Sequence, residues 1–274
     1  MPSGGETRGA GIWRGLKASL ARGSTPDEAP RTGAQEEYGL HLSSGDRHYR
    51  AWVGPPEDYD TVAAVQVSLL LAAGLRETHR LADVGCGSLR AGRMLVPYLR
   101  PGNYCGIEPE RWLVEEGIER ELGKAVLEVK RPRFRYVSDF SLDGFGTAFD
   151  FVVAQSVFSH THVDLLRLAL GNISGALAPS GKLFATWAEG RREKRGTGWI
   201  HKGARQYTWG ELEGHLRDSG LAARRLDWPH PRQSWFVAAR PEDEASIEEL
   251  AGTLRDPRPG WIERRPSRKG RREA

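Results

Sequence analysis

The sequence predicts an α/β domain in which helices cover both faces of a mostly parallel, seven-stranded sheet with an antiparallel last strand. Short apolar segments alternate with helix-length segments between residues 61 and 240, a pattern typical of parallel sheets that are covered on both sides. A glycine turn follows the first apolar segment, and a short proline-rich connection joins the last two. Together these observations indicate a three-layer sandwich.

The individual elements follow from apolar periodicity and from the residues that start and stop helices. A first helix begins at Asp60 or Thr61, either of which can cap it, and ends near Ala73 before Gly74. Beyond it the pattern predicts helices at 89–99, 111–122, 163–177 and 209–219, and strands at 80–84, 104–107, 134–137, 149–154, 183–187, 222–226 and 234–239.

Composition places the excess charge at one end of the chain. With 39% hydrophobic and 28% charged residues, the 274 residues can bury a sizeable core, which excludes a wholly disordered protein. The formal net charge is +4, but residues 255–274 hold eight Arg or Lys and three acids, so the remainder is near neutral. We expect residues 1–34 to be a mostly disordered arm, and residues 241–274 a helix followed by a basic, mostly disordered tail.

Several classes of protein are disfavoured. The two cysteines, Cys86 and Cys105, exclude a disulfide scaffold and fit a reducing compartment. The longest apolar run, residues 62–75, is too short and too polar to span a bilayer, and the first residues lack the apolar core of a signal peptide. No group of Cys, His and acidic residues has convincing metal-ligand spacing. A cytoplasmic protein without a membrane span or a metal is expected, and its oligomeric state is left open.

The glycine turn and an acid beyond it indicate a nucleoside ligand. Gly85 and Gly87 follow the first strand, where glycine allows a tight turn and lets a ligand approach the backbone. Glu108 ends the next strand, 21 residues after Gly87, a position from which an acid can accept hydrogen bonds from ribose hydroxyls. A dinucleotide fingerprint would require a third glycine at position 90, which is Arg90 here, and no phosphate-binding Gly-Lys-Ser or Gly-Lys-Thr occurs.

The segment Asp83-Val84-Gly85-Cys86-Gly87 resembles the nucleotide loop of class I S-adenosylmethionine-dependent methyltransferases, which have a Rossmann-like fold. Glu108 matches the ribose-binding acid of that family, and Asp139-Phe140 is similar to its adenine-binding segment. Residues 149–160 and 177–185 resemble its fourth strand and the entry to its fifth. The resemblance covers residues 61–240 and implies a methyltransferase that uses S-adenosylmethionine. It implies cofactor contacts by Asp83, Gly85, Cys86, Gly87, Glu108, Asp139, Phe140, Gln155 and Ser156.

The residue that removes a proton from the acceptor is less well marked. His160 follows the fourth strand, and its near-neutral pKa suits a general base, although packing is an equal alternative. His201 and His230 lie in loops, where a catalytic role is disfavoured.

The acceptor pocket is expected where the chain departs from regular alternation, because long irregular segments in compact domains are often lids or binding loops. These segments are a cap at residues 35–60, an insertion at 187–207 and the connection at 228–235. The alternative is that they simply cover the sheet edge. The candidate acceptor-binding residues are Tyr49, Trp52, Trp187, His201, Arg205 and Tyr207.

The predicted activity is methyl transfer to a small-molecule acceptor, with a hydroxyl oxygen favoured, by in-line displacement at the sulfonium methyl group. The residues after strand four, 155–158, lack the Asn/Asp-Pro-Pro motif typical of base amine methylation, and no Pro-Cys pair occurs, so a nucleic-acid substrate is not favoured. The alternatives are an RNA or protein methyltransferase, and a catalytically silent nucleoside-binding module that acts through a partner.

Overall fold

The computed structural model describes residues 33–200 and 203–254. The predicted basic tail at 255–274 and all but the last two residues of the predicted arm lie outside these ranges. The described helices are α1 Gly33–Glu37, α2 Tyr49–Trp52, α3 Tyr59–Ala72, α4 Gly92–Tyr98, α5 Arg111–Gly117, α6 Lys124–Lys130, α7 Val163–Ala176, α8 Trp209–Asp218 and α9 Glu244–Thr253. The strands are β1 Leu81–Val84, β2 Tyr104–Ile107, β3 Arg133–Arg135, β4 Phe149–Ala154, β5 Leu177–Trp187, β6 Ala222–Leu226 and β7 Ser234–Ala239.

The seven strands form one sheet in the order β3-β2-β1-β4-β5-β7-β6. The strands from β3 to β5 pair in parallel, and β7 runs antiparallel to both β5 and β6. The predicted fold, with its antiparallel last strand, is therefore confirmed.

Side chains of β4 show how the sheet is buried on both faces. Val152 and Ala154 pack in the core beneath α7 and α8, while Phe151 and Val153 belong to the opposite core beneath α3, α4 and α9. All four are buried, which explains why residues 151–154 are all apolar instead of alternating with polar residues.

Several boundaries differ from the predictions for local reasons. The helix predicted at 89–99 begins at Gly92, because the turn before it places Leu89 at φ +59°. β5 begins at Leu177 instead of 183, and its pairing with β4 shifts register between Phe149 and Phe151. The short helix α6 was not predicted; it is amphipathic over only seven residues and buries no side chain completely.

A buried ion cluster ties the segment before α3 to the helical layer. The carboxylate of Glu121, in the π-helical turn that extends α5, accepts from Arg50 Nη2 at 2.5 Å and from Arg93 Nη1 at 2.6 Å. The side chains of Arg50 and Glu121 are each only 8% exposed. Asp60 completes the cluster by pairing with both arginines.

This cluster predicts a large effect for one substitution. Glu121→Ala leaves two arginines short of a carboxylate in a mostly buried site, so we expect the free energy of unfolding to fall by about 3–5 kcal/mol in urea titrations. The matched control is Glu119→Ala, which removes only an exposed ion pair with Lys124 and should cost less than about 1 kcal/mol. Equal effects of the two substitutions would contradict this role for Glu121.

Candidate active site

A crevice is expected at the edge of the sheet where the strand order reverses. From β1 the chain proceeds outward to β2 and β3, then returns to β4 on the other side of β1. Because these strands are parallel, the residues after Val84, Ile107 and Ala154 meet at the same edge. In open α/β sheets this reversal point is where ligands bind.

The loop after β1 has a backbone that requires glycine at two positions. Gly85 and Gly87 have φ angles of +69° and +55°. A Cβ at Gly85 would lie 2.7 Å from a methyl group of Val157, and one at Gly87 would lie 2.7 Å from a methyl group of Val53. Any side chain here would both strain the backbone and fill the space above the loop.

Glu108 joins the ends of β1 and β2 through its carboxylate. Gly87 N–H donates to Oε2 and Glu110 N–H donates to Oε1, each at 3.0 Å. Burial raises the pKa of Glu108 to about 7, although the two backbone donors oppose that shift. Each oxygen has lone pairs left, so the carboxylate can also accept from the two hydroxyls of a ribose.

Asp83 lies in β1 just before the glycine loop, and Cys86 lies within the loop. Asp83 is 4% exposed, and its Oδ2 accepts from the Tyr104 hydroxyl at 2.7 Å. Burial raises the pKa of Asp83 to about 6. Cys86 is also buried, its sulfur packs against Gly106, and burial raises the pKa of its thiol well above the usual value. A reactive thiolate is therefore disfavoured at this position.

Comparison with known proteins identifies the domain. Residues 82–183, which span β1 to β5 and include the glycine loop and Glu108, match the family model for a methyltransferase domain. Residues 82–183 of the chain are therefore part of an S-adenosylmethionine-dependent methyltransferase domain. Its cofactor is S-adenosylmethionine, and the glycine loop with the buried Glu108 carboxylate fits the nucleoside part of that molecule.

Solved structures share the fold of this methyltransferase. Magnesium protoporphyrin IX methyltransferase from Synechocystis, crystallised with S-adenosylmethionine, aligns with a TM-score of 0.54 at 15% identity, covering 76% of this chain and 92% of that one. A sugar N-methyltransferase from Streptoalloteichus aligns at 0.51 and 19% identity, covering 81% and 99%. A glycopeptide N-methyltransferase crystallised with S-adenosylmethionine aligns at 0.51 and 12% identity, covering 66% and 95%.

Gln155 and Ser156, predicted to contact the cofactor, follow β4 directly at the reversal point. Ser156 has a φ of +63°, and its backbone N–H donates to the Thr186 hydroxyl at 2.7 Å. Its own hydroxyl accepts from Gln233 at 2.9 Å. A non-glycine residue in this conformation at the end of a central strand is typical of a functional turn.

Arg90 is a site residue that the sequence did not predict. Its guanidinium donates to the Val53 carbonyl at 3.0 Å and to the Gln155 side-chain oxygen, and it is only 8% exposed. Gln155 in turn lies 2.9 Å from Nε2 of His230. The sequence feature that could have indicated this role is the arginine itself, which occupies the position of the third glycine in the dinucleotide motif.

Asp139 and Phe140, predicted to contact adenine, lie on the loop after β3. The Asp139 carboxylate is exposed and accepts from the Ser141 N–H at 3.0 Å, which lowers its pKa. Phe140 is buried, with its ring centroid 5.2 Å from that of Trp199. Trp199 belongs to the insertion, so the insertion covers the side of the crevice expected to hold adenine.

The cap residues predicted to bind the acceptor differ in exposure. Tyr49 is 3% exposed, and its hydroxyl donates to Glu121 at 2.9 Å, so it stabilises the buried ion cluster. Trp52 is 37% exposed and contacts Trp112 edge to face. Of these two residues, only Trp52 presents a surface to a ligand in this conformation.

The candidates at the insertion are mostly buried. Trp187 and Tyr207 lie in the core under α7 and α8, where Trp187 packs against Trp209 and Phe236. Direct contact between Trp187 and an acceptor was predicted, but the ring is 0% exposed because it fills the space between the sheet and α8. Arg205 is partly buried and donates to the Lys194 carbonyl at 2.8 Å. His201 lies outside the described residues.

His160 ends the short 3-10 helix after β4, and its side chain is exposed. Its carbonyl accepts from Ile200 N–H at 2.7 Å, which joins it to the insertion. The predicted general base therefore faces solvent beside the insertion, whereas His230 is buried within the Arg90–Gln155 network.

Residues 33–200 and 203–254 contain neither a helix that could span a membrane nor a metal-binding cluster. Within them, no helix combines the length and apolar character needed to cross a membrane. Those same residues contain no cluster of three or more His, Cys, Asp or Glu side chains able to hold a metal ion.

The raised pKa of Glu108 predicts a trade-off between stability and binding. Between about pH 4.5 and 7 the folded, ligand-free protein holds a proton that the unfolded chain has released, so the free energy of unfolding falls as the pH rises. Glu108→Gln removes this loss, and we expect the variant to be more stable than wild type by about 1–2 kcal/mol at pH 8 but not at pH 4.

The same variant should lose affinity for S-adenosylhomocysteine by at least about tenfold, because the amide replaces an acceptor oxygen with a donor. Urea unfolding at the two pH values and calorimetric titration give both readouts. Glu115→Gln, at an exposed ion pair on α5, is the control and should change neither. Unchanged ligand affinity in Glu108→Gln would contradict its contact with ribose.

Proposed function

We propose that this methyltransferase modifies a small-molecule acceptor, with a hydroxyl oxygen as the favoured methylation site. The observation that carries the proposal is that irregular segments cover the crevice from two sides. On one side, a methyl group of Val53 in the cap lies against Gly87, and the Val53 carbonyl accepts a hydrogen bond from Arg90. On the other, the insertion folds back over the residues that follow β4.

The insertion is held in place by backbone contacts. Trp199 forms an antiparallel bridge with Thr161, and Arg205 N–H donates to the Ser159 carbonyl at 2.8 Å. The Asp164 carboxylate also accepts from the Gly198 N–H at 2.9 Å. A crevice with two ordered covers suits a small acceptor better than a duplex or a folded protein.

The charge of the insertion favours an acceptor with an acidic group. Arg191, Arg192 and Arg195 are exposed, whereas the chain before residue 255 is near neutral. Such a local excess of cations attracts anionic ligands. Two proteins whose solved structures share this fold methylate a porphyrin and a sugar. This similarity supports a small-molecule acceptor but does not favour methylation of oxygen over nitrogen.

The chain's own residues have limited chemistry to perform. Bound S-adenosylmethionine supplies a methyl group that its sulfonium already activates. The protein must hold the acceptor in the correct orientation and exclude water, and a hydroxyl acceptor must also lose its proton. We propose that the imidazole of His160 removes this proton, because it is exposed beside both β4 and the insertion.

The acceptor class is tested by incubating the protein with S-adenosylmethionine carrying a labelled methyl group. Parallel reactions contain a small-molecule extract, total RNA or total protein. We expect labelled product of low molecular mass. Transfer only to RNA or only to protein would reject a small-molecule acceptor, and absence of any transfer would favour a silent binding module.

The base is tested once an acceptor is found. His160→Ala should lower kcat by about 100-fold or more and leave the affinity for S-adenosylhomocysteine unchanged. His79→Ala is the control, because His79 precedes β1 at the opposite edge of the sheet. Full turnover by His160→Ala would contradict the assignment.

A further inference from the structure

Arg90 carries a positive charge that the described structure does not neutralise. It is 8% exposed, and both of its hydrogen-bond acceptors, the Val53 carbonyl and the Gln155 side-chain oxygen, are neutral. No carboxylate of residues 33–200 or 203–254 forms an ion pair with it. Leaving a buried cation without an anion is costly, so such a site is well suited to an anionic ligand.

Arg50, the other buried arginine of the described residues, is compensated, as is the partly buried Arg93. Arg50 and Arg93 share Glu121 and Asp60, as described above. The two carboxylates whose charge acts on Arg90 are already engaged, because Asp83 accepts from Tyr104 and Asp58 pairs with Arg232.

A second guanidinium converges on the same place. The side chain of Arg232 is 44% exposed, and its Nη2 lies 3.5 Å from the position that a Cβ of Gly54 would occupy. Nη1 of Arg90 lies 3.6 Å from that same position. The absence of a side chain at Gly54 leaves room between the two cations, and the exposure of Arg232 opens that room to solvent.

His230 fixes the connection between β6 and β7 that carries Arg232. Its Nδ1 accepts from the backbone N–H groups of Arg232 at 3.1 Å and of Gln233 at 2.9 Å, which fixes the loop that carries Arg232. Burial lowers the pKa of His230 to about 3, with further contributions from Arg90 and Arg232. The imidazole is therefore neutral and does not add a third cation beside Arg90 and Arg232.

The position of the two arginines relates them to the bound nucleoside. Glu108 lies at the end of β2, the glycine loop follows β1, and Gln155 follows β4. Since β1 lies between β2 and β4, a ligand whose ribose binds Glu108 and which crosses the loop extends towards Gln155 and Arg90. Its end opposite the base approaches the two guanidinium groups.

We propose that Arg90 and Arg232 form a carboxylate-binding site on the β4 side of the crevice. The inference rests on the proposed function, since it names the chemistry of a ligand group in that same site. The carboxylate has two sources, which are the amino-acid end of the cofactor and an acidic group of the acceptor. In either case Arg90 supplies the buried charge, and Arg232 contributes from the solvent side.

The test uses the full chain and two nucleoside ligands. S-adenosylhomocysteine carries the amino-acid carboxylate, whereas 5′-methylthioadenosine lacks it. Calorimetric titrations compare wild type with Arg90→Met, Arg90→Lys and Arg232→Met. Arg100→Met is the matched control, because Arg100 forms only an exposed ion pair with Glu77. Circular dichroism and thermal unfolding establish that each variant is folded, and Arg90→Lys retains the charge if Arg90→Met does not fold.

If the site binds the carboxylate of the cofactor, Arg90→Met lowers the affinity for S-adenosylhomocysteine by about 10- to 100-fold. The affinity for 5′-methylthioadenosine falls by less than about twofold. Arg90→Lys is intermediate, because lysine keeps the charge but not the forked geometry, and Arg232→Met has a smaller effect. If the site instead binds a carboxylate of the acceptor, the affinity for each of the two nucleosides is unchanged. Succinate then raises the melting temperature of the wild-type complex with S-adenosylhomocysteine, relative to chloride at equal ionic strength, but not that of Arg90→Met.

Two results would overturn the site. In the first, Arg90→Met lowers the affinity for both nucleosides equally, which would mean that Arg90 only supports the glycine loop after β1. In the second, it changes neither nucleoside affinity nor the response to succinate. These results differ from failure of the proposed function, which would appear as labelled methyl transfer to RNA or protein with nucleoside binding intact.

Discussion

The hydrogen bond from the Gly87 amide to the Glu108 carboxylate is the contact on which the rest of the site depends. It joins the loop after β1 to the end of β2, and it requires a loop conformation with positive φ at Gly85 and Gly87. Burial makes this carboxylate costly to ionise, so stability is given up to place the group that we propose as the acceptor for ribose. Functional sites commonly contain such groups with shifted pKa values.

Two irregular segments lie over the carboxyl ends of the central strands, and each is fixed by contacts with the regular elements. The cap is tied to the helical layer by the Arg50–Glu121 ion pair and to the crevice by Val53 and Arg90. The insertion is tied to the turn after β4 by its bridge at Thr161 and its bonds to Ser159 and His160. Acceptor specificity is therefore expected to reside in segments outside the common fold.

Sequence reasoning recovered the fold because its signals are local. The apolar run of β4, the glycines after β1 and the spacing to Glu108 can each be identified without knowing what packs against them. The acceptor residues depend on long-range packing, and there the sequence was less informative. Trp187 was predicted to bind a ligand but fills the core, and Tyr49 is held by Glu121, 72 residues away. Arg90 was overlooked because its partners Val53 and Gln155 are distant in sequence.

The role of Glu108 is tested most directly by a crystal structure of the full chain with S-adenosylhomocysteine. We expect both ribose hydroxyls to lie within hydrogen-bonding distance of the Glu108 carboxylate, with the sugar above the loop at Gly85 and Gly87. The amino-acid end should extend from β1 towards Gln155. A ligand bound elsewhere, or a ribose that does not contact Glu108, would contradict this role.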